Sequence, residues 1–283
     1  MAGTLYLVAT PIGNLEDITF RAVRILGEVD LIACEDTRQT RKLLEHLGIR
    51  KPLISYHEHN EAARTPELVN KLEQGADIAL VSDAGTPLVS DPGYLLVKAA
   101  VENGIPVEPV PGASAVLTAL AASGLPTDSF HFAGFLPPRG SRRRQALDQI
   151  REMKTTVIVY EAPHRILKTL DDLRETLGDR PIVAAREMTK RHEEFLRGTA
   201  ASIRDALAGR GPVKGEFTVL IGKPGSSAPQ TPDAGTIRAT VESRLRDGVA
   251  RMEAIKSAAR DLGISKRAVY QVLHEEAGAG RQH

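Results

Sequence analysis

The sequence predicts an α/β protein made of two α/β domains and closed by a small helical region, and three observations carry that expectation. Short apolar runs alternate with amphipathic segments from residue 4 to about residue 222. A Pro/Gly/Ser-rich stretch, KPGSSAPQTPDAG, then breaks the rhythm as a flexible linker. Beyond it the spacing is helical alone. The 283 residues suffice for two modest domains and an appendage, with boundaries at 1–124, 125–222, 223–235 and 236–283.

In the first domain the strands are TLYLVAT, DLIACED, KPLISYH, DIALVSD and IPVEPVP. Between them lie the helical segments ITFRAVRILGEV, RKLLEHLG, TPELVNKLEQG and GYLLVKAAVENG, a rhythm that implies βαβ units around a mostly parallel sheet. SAVLTALAASG closes the domain with a small-residue helix. The second domain reads as the strand FHFAGFL, the helix SRRRQALDQIREM, the strand TTVIVYEA, the helix HRILKTLDDLRETLG, then the strands PIVAAREM and GEFTVLIG. In the tail, Ile255, Ala258, Ala259 and Leu262 precede a Leu-Gly-Ile-Ser turn, and Val269, Val272 and Leu273 follow it. Ser265 is placed to cap the last helix, which Lys266 and Arg267 open. That pattern fits a helix-turn-helix that meets nucleic acid, or a small dimerisation or capping bundle.

Composition excludes several classes. No apolar run approaches the roughly 18 residues of a membrane span, the N-terminus lacks a basic leader, and the single cysteine, Cys34, leaves no internal disulfide or cysteine-based zinc site. A cytoplasmic protein is expected. HExxH does not occur, and His57 and His59 are too few to hold a metal, so none is expected. No GxGxxG follows the first strand and no Walker spacing occurs. Net charge runs from −6 over 1–124 to +4 over 125–236 and +3 over 237–283, which directs any polyanion to the later parts.

The richest signal lies at the strand ends. ATPIGNLED, CEDTR, YHEHN, SDAGTPLVSDPG and VPGASA all fall at the C-terminal ends of the first domain's strands, the edge where open α/β sheets take ligands. VSDAGTPLVSDPG, residues 81–93, is far longer than a chain reversal needs and holds two carboxylates, so it is either a bulky surface loop or it wraps a ligand. Gly- and Pro-rich loops offer backbone groups at close range, which suits a small ligand rich in hydrogen-bond partners.

Taken in order, LYLVATPIGNLEDIT, ACEDTR, SDAGTPLVSDPG, PGASA, FAGFLPP, YEAPHRI and REMTKRHEE resemble the tetrapyrrole-methylase-type (class III) S-adenosylmethionine-dependent methyltransferases. Within them the match is to the branch that methylates the 2'-hydroxyl of a cytidine ribose in 16S rRNA. The motifs span residues 5–194, and GEFTVLIG extends the match to about residue 222. The resemblance implies two α/β domains with S-adenosylmethionine in the cleft between them, a homodimer, and an assembled small ribosomal subunit as partner, with the target cytidine near the decoding centre. Carried over by position, it places Ile12, Gly13, Val81, Ser82, Asp83, Thr86, Ser114 and Ala115 beside the cofactor, with Glu161, Ala162 and Gly215 closing over it from the second domain. Each also has a plain structural reading: Ser82 and Asp83 as turn-forming groups, Ser114 as a helix cap.

Methyl transfer to a ribose hydroxyl needs alignment, exclusion of water and removal of a proton. Candidate proton acceptors at the shared edge are Glu35, Asp36, His57, Glu58 and Asp91, although Glu35, Asp36 and Arg38 also read as a salt-bridged corner. For RNA, Arg38 is placed to take a flanking phosphate. RGSRRRQALDQIR presents Arg142, Arg143 and Arg144 at a helix start, where they oppose the helix dipole. Lys190 with Arg191, and Lys266 with Arg267, form smaller basic clusters. Two other functions compete: methylation of a small tetrapyrrole, which needs no arginine cluster, and a non-enzymatic nucleic-acid binder, which leaves the polar loops unexplained.

Overall fold

The computed structural model describes residues 2–225, 233–262, 264 and 266–279. The chain divides into two compact units, Met1–Ser227 and Ala228–His283.

In the larger unit β1 (Leu5–Val8), β2 (Leu31–Cys34), β3 (Leu53–Ser55), β4 (Ile78–Val81) and β5 (Val107–Val110) form one sheet in the order β3-β2-β4-β1-β5. Every pairing in it is parallel. Helices α1 (Phe20–Glu28) and α2 (Thr37–His46) lie on one face, where Leu26 and Leu44 pack on Val8, Ile32 and Val81. Helices α3 (Glu61–Glu73) and α4 (Tyr94–Glu102) lie on the other, where Leu68 and Leu96 pack on Leu5, Ile78 and Leu80. With both faces covered, the strands read as unbroken apolar runs in place of alternation. Thr19 and Asp36 cap α1 and α2 by accepting from the backbone N–H groups of Ala22 and Arg38. Helix α3 starts at Glu61, a turn before the segment TPELVNKLEQG, so Pro66 falls inside it and the Ala62 carbonyl loses its usual donor.

Helix α5 (Ala115–Ser123) links the two sheets. Its buried Val116, Ala119 and Leu120 pack on Ile158, Val183 and Leu220 of the second sheet, so an element reached from the first sheet forms part of the core of the second. The Arg197 guanidinium donates to the carbonyls of Ala122 (2.6 Å) and Ser123 (3.2 Å), the favourable cation at a helix C-terminus. The second sheet comprises β6 (Phe130–Phe135), β7 (Thr156–Glu161), β8 (Pro181–Arg186), β9 (Glu194–Thr199) and β10 (Phe217–Ile221), in the order β6-β7-β10-β8-β9. β6 runs parallel to β7, while β10 is antiparallel to both β7 and β8. The C-terminal ends of β6, β7 and β8 and the start of β10 therefore share one edge. Helices α6 (Gly140–Glu152), α7 (Ile166–Leu177) and α8 (Ala200–Ala208) bury Leu147, Leu170 and Ile203 in this sheet's core. β9 and α8 are additions to the elements read from sequence; Thr199 and Ser202 form a capping box at their junction.

The smaller unit is a bundle of α9 (Ala234–Arg246), α10 (Arg251–Asp261) and α11 (Lys266–Ala279) around Ile237, Val241, Ile255, Ala258 and Val269. Asp233 caps α9 by accepting from Thr236 N (2.6 Å), so regular structure resumes before the expected linker ends at residue 235. Residues 226–232 of that linker, the expected cap Ser265 and the side chain of Arg267 lie outside the described residues. Among the described residues no helix is long and apolar enough to cross a membrane.

Candidate active site

The strand order decides which strand-end loops meet. β1, β4 and β5 lie on one side of the first sheet and β2 and β3 beyond β4, so only the first three deliver loops to a cavity of about 420 Å³ facing the second sheet. That volume suits a small organic ligand. From the first sheet come Ile12, Thr86, Asp91, Ser114 and Ala115, and from the second Phe135, Tyr160, Glu161 and Ala162, all at the shared edges described above. Glu187, Met188, Lys190 and Glu216 complete the wall.

Local geometry explains the long loop after β4. Thr10 and Gly85 exchange backbone hydrogen bonds (2.9 and 3.0 Å), tying the β1 and β4 loops together. The Thr86 hydroxyl donates to the Ala113 carbonyl at 3.2 Å and so brings in the β5 loop. Leu88 and Ser90 hold φ of 71° and 70°, a conformation that costs non-glycine residues of order 1–3 kcal/mol and gathers at functional sites. The stretch thus wraps a cavity, with its backbone strained where it does so.

Of the residues expected beside the cofactor, Ile12, Thr86, Ser114, Ala115, Glu161 and Ala162 line the cavity. Gly13, Val81, Ser82, Asp83 and Gly215 are not part of its lining. Val81 and Ser82 are buried at the end of β4, where the Ser82 carbonyl accepts from the Thr10 hydroxyl (3.2 Å). Asp83 is exposed and accepts from Asp36 N at 3.1 Å. Ser114 lines the cavity and also caps α5.

The expected catalytic residues lie outside the cavity lining. Glu35, Asp36 and His57 follow β2 and β3, and none lines the cavity, because β4 stands between those strands and β1. Asp36 caps α2 and pairs with Arg38 (2.8 Å), which hold its carboxyl down to about 2. His57 accepts from the Asn60 side-chain amide at Nε2 (3.1 Å), and its buried Nδ1 has no hydrogen-bond partner among the described residues. Arg38 forms the salt-bridged corner with Asp36 and remains exposed. Among the cavity carboxylates, Glu161, Glu187 and Glu216 are each in an ion pair. Asp91 is in none among the described residues; burial raises its pKa, reinforced by Asp83 and opposed by a Ser82 hydrogen bond. Burial, then the charge of Asp91, pushes the Tyr160 hydroxyl up to about 12, so it stays a neutral donor.

The arginine cluster also divides. Arg142 and Arg144 are exposed on α6, whereas Arg143 is 5% exposed, bonded to Asp172 (2.6 Å), the Thr169 hydroxyl (2.8 Å) and the Pro137 carbonyl (2.9 Å). A guanidinium so enclosed cannot reach a phosphate, so Arg143 does not share the RNA contact expected of its neighbours. Thr169 in turn donates to Glu161 (2.5 Å), whose other oxygen accepts from Ala162 N (2.9 Å). Arg143 thus braces the cavity wall from behind. Lys190 lines the cavity instead of an outer face, and Arg191 is exposed beside it. In the smaller unit Lys266 is exposed at the start of α11.

Two α/β sheets meeting edge to edge over one small-molecule cavity define a class of enzyme, and the chain belongs to it by sequence. The family model for tetrapyrrole (corrin/porphyrin) methylases matches residues 4–204, and the chain belongs to that family. It is 50% identical over 279 residues to the ribosomal RNA small subunit methyltransferase I of Halalkalibacterium halodurans, covering 97% of this chain and 96% of that protein. The protein of the same name from Bacillus subtilis is 45% identical, covering 96% and 94%. Among solved structures, a diphthine synthase superposes with a TM-score of 0.61 at 14% identity over 78% of this chain and 90% of that one. Thermus thermophilus uroporphyrin-III C-methyltransferase, complexed with S-adenyl homocysteine, does so with a TM-score of 0.54 at 20% identity over 78% and 97%.

Proposed function

We propose that this chain transfers a methyl group from S-adenosylmethionine to the 2'-hydroxyl of a cytidine ribose in 16S rRNA, near the decoding centre of the assembled small subunit, in the cytoplasm and as a homodimer. The residues present fit the cofactor. The cavity pairs apolar surface from Ile12, Met188 and Phe217 with hydroxyls of Thr86, Ser114 and Thr218, a mixture of apolar and hydrogen-bonding groups suited to an adenosyl group with an amino-acid tail. When bound, S-adenosylmethionine supplies a methyl already activated on a sulfonium.

The chain's own residues have three tasks. Thr86, Ser114 and the backbone around Ala115 and Ala162 orient the bound groups, and such alignment is worth roughly 7–11 kcal/mol in favourable cases. Ile12, Val89 and Phe135 keep water out. Asp91 accepts the hydroxyl proton, a step typically worth about 10²–10⁴ in rate. Arg142 and Arg144, exposed outside the cavity, hold phosphates, and the smaller unit with Lys266 and Arg267 adds positive charge for the same RNA.

The observation that carries this reading is Asp91, in no ion pair among the described residues, facing a nucleoside-sized cavity while the exposed Arg142 and Arg144 stand outside it. A tetrapyrrole methylase would use the cavity without those arginines. Incubation with isotopically labelled cofactor and small subunits, naked 16S rRNA or uroporphyrinogen tests it. Label in the ribose of the subunit RNA is expected; label in the tetrapyrrole alone would reverse the assignment.

A further inference from the structure

Lys190 is placed by its sequence among phosphate-binding cations, but its surroundings are those of a clamp. Its Nζ lies 3.0 Å from Glu187 Oε1 and 3.0 Å from Glu216 Oε2. Its stem lies against Gly13: a Cβ there would fall 2.6 Å from Lys190 Cγ and 2.8 Å from Thr189 Oγ1, so only glycine permits the approach. That same Thr189 hydroxyl accepts from Asn14 N at 3.0 Å. On the other side, a Cβ on Gly215 (φ +90°) would fall 2.5 Å from Glu187 Cγ. Glu187 and Glu216 are further tied by a backbone bond of 3.1 Å and by Glu216 N donating to the Glu187 carboxylate at 3.1 Å. Glu187 and Thr189 hold φ of 50° and 65°, so the turn is kept strained by what surrounds it.

Three wall segments of the cavity therefore converge on one lysine side chain: the β1 loop on its stem, and the turn after β8 and the turn into β10 on its ammonium. An ammonium already shared by two carboxylates has little net charge to offer a phosphate. We infer that Lys190 is a positioning residue for the cofactor: by pinning Glu187 and Glu216 against the β1 loop, it sets the spacing of the walls between which the adenosyl group binds. The inference rests on the cofactor reading above. Burial works against the charge of Lys190, but the hydrogen bonds of Glu187 and then Glu216 outweigh it and raise its pKa. Burial likewise opposes the Glu187 carboxylate and is outweighed by Lys190 and the Glu216 backbone, so its pKa falls. Lys190 and Glu187 both stay charged through the neutral range.

Calorimetric titration with S-adenosylhomocysteine from low to high salt tests this on wild type, Lys190→Met, Lys190→Arg and Glu216→Gln, with RNA binding measured on the same proteins. Lys190→Met is expected to weaken the nucleoside about tenfold, and Lys190→Arg, whose planar fork can bridge two carboxylates, by less than about threefold. Glu216 is 83% exposed at its side chain, so Glu216→Gln leaves the fold intact and should weaken binding severalfold. Wild-type affinity for this zwitterion should fall with salt, and Lys190→Met should lose that dependence, while RNA affinity and its salt slope stay unchanged. Unaltered nucleoside affinity in Lys190→Met or Glu216→Gln overturns the inference. So does an RNA salt slope reduced by about one with cofactor affinity intact, which is the signature of a phosphate contact. Wild type that binds no nucleoside at all overturns the cofactor reading and the clamp with it.

Discussion

Among the described residues Asp91 is the cavity carboxylate without an ion pair, and its burial has two measurable consequences. As proton acceptor it must be ionised, so kcat should rise with pH along a limb displaced upward from that of an ordinary aspartate and then level off. Asp91→Asn should lower kcat by about 10²–10⁴ and abolish that limb, with S-adenosylhomocysteine affinity held within about threefold. The stability effect has the opposite sign. A carboxyl whose folded pKa is raised favours the native state at low pH and loses that contribution as pH rises through the folded value. Asp91→Asn should therefore melt higher than wild type at pH 7, and the gap should close in acid. A variant with unchanged kcat and unchanged melting would remove Asp91 from the chemistry.

Helix α6 sets adjacent arginines to different tasks by its periodicity alone. Residues 142 and 144 point outward while 143 turns in to Asp172 and Thr169. Arg143→Ala should cost about 1–3 kcal/mol, since it removes three hydrogen bonds and leaves Asp172 only its pair with Lys168 at 3.3 Å, and the loss will show as a lower melting temperature with cofactor affinity reduced through Glu161. The double change of Arg142 and Arg144 to Ala should leave melting unchanged and cut the salt slope of RNA binding by about 1.5. Equal melting in all these variants would contradict the division. The sequence shows three consecutive arginines, and only the inward face of the helix, occupied by Leu147 and Ile150, hints that one of them must follow it inside. β9 was legible only in part: REMTKRHEE stood out for its cations, while EFLRGT is half-buried at every position and lacks the apolar alternation that marks a strand.

Across the whole molecule, the alternation of strands and helices was readable because covered parallel strands must be apolar throughout. Strand order was not. Nothing in the local pattern says that β4 lies between β1 and β2, and that one fact separates Glu35, Asp36 and His57 from the cavity while leaving Asp91 in it. The convergence of loops was legible, but which loops converge was not. The smaller unit is joined through residues rich in Pro, Gly and Ser, and removing residues 228–283 should lower methylation of assembled subunits while leaving S-adenosylhomocysteine affinity intact; equal turnover with and without the unit would make it dispensable. The most direct test of the account is mass mapping of small-subunit RNA from cells with and without this protein. The account predicts one additional methyl, on the ribose of a single cytidine, present only with the protein and lost in Asp91→Asn. Identical maps, or a methyl found on a base, would contradict it.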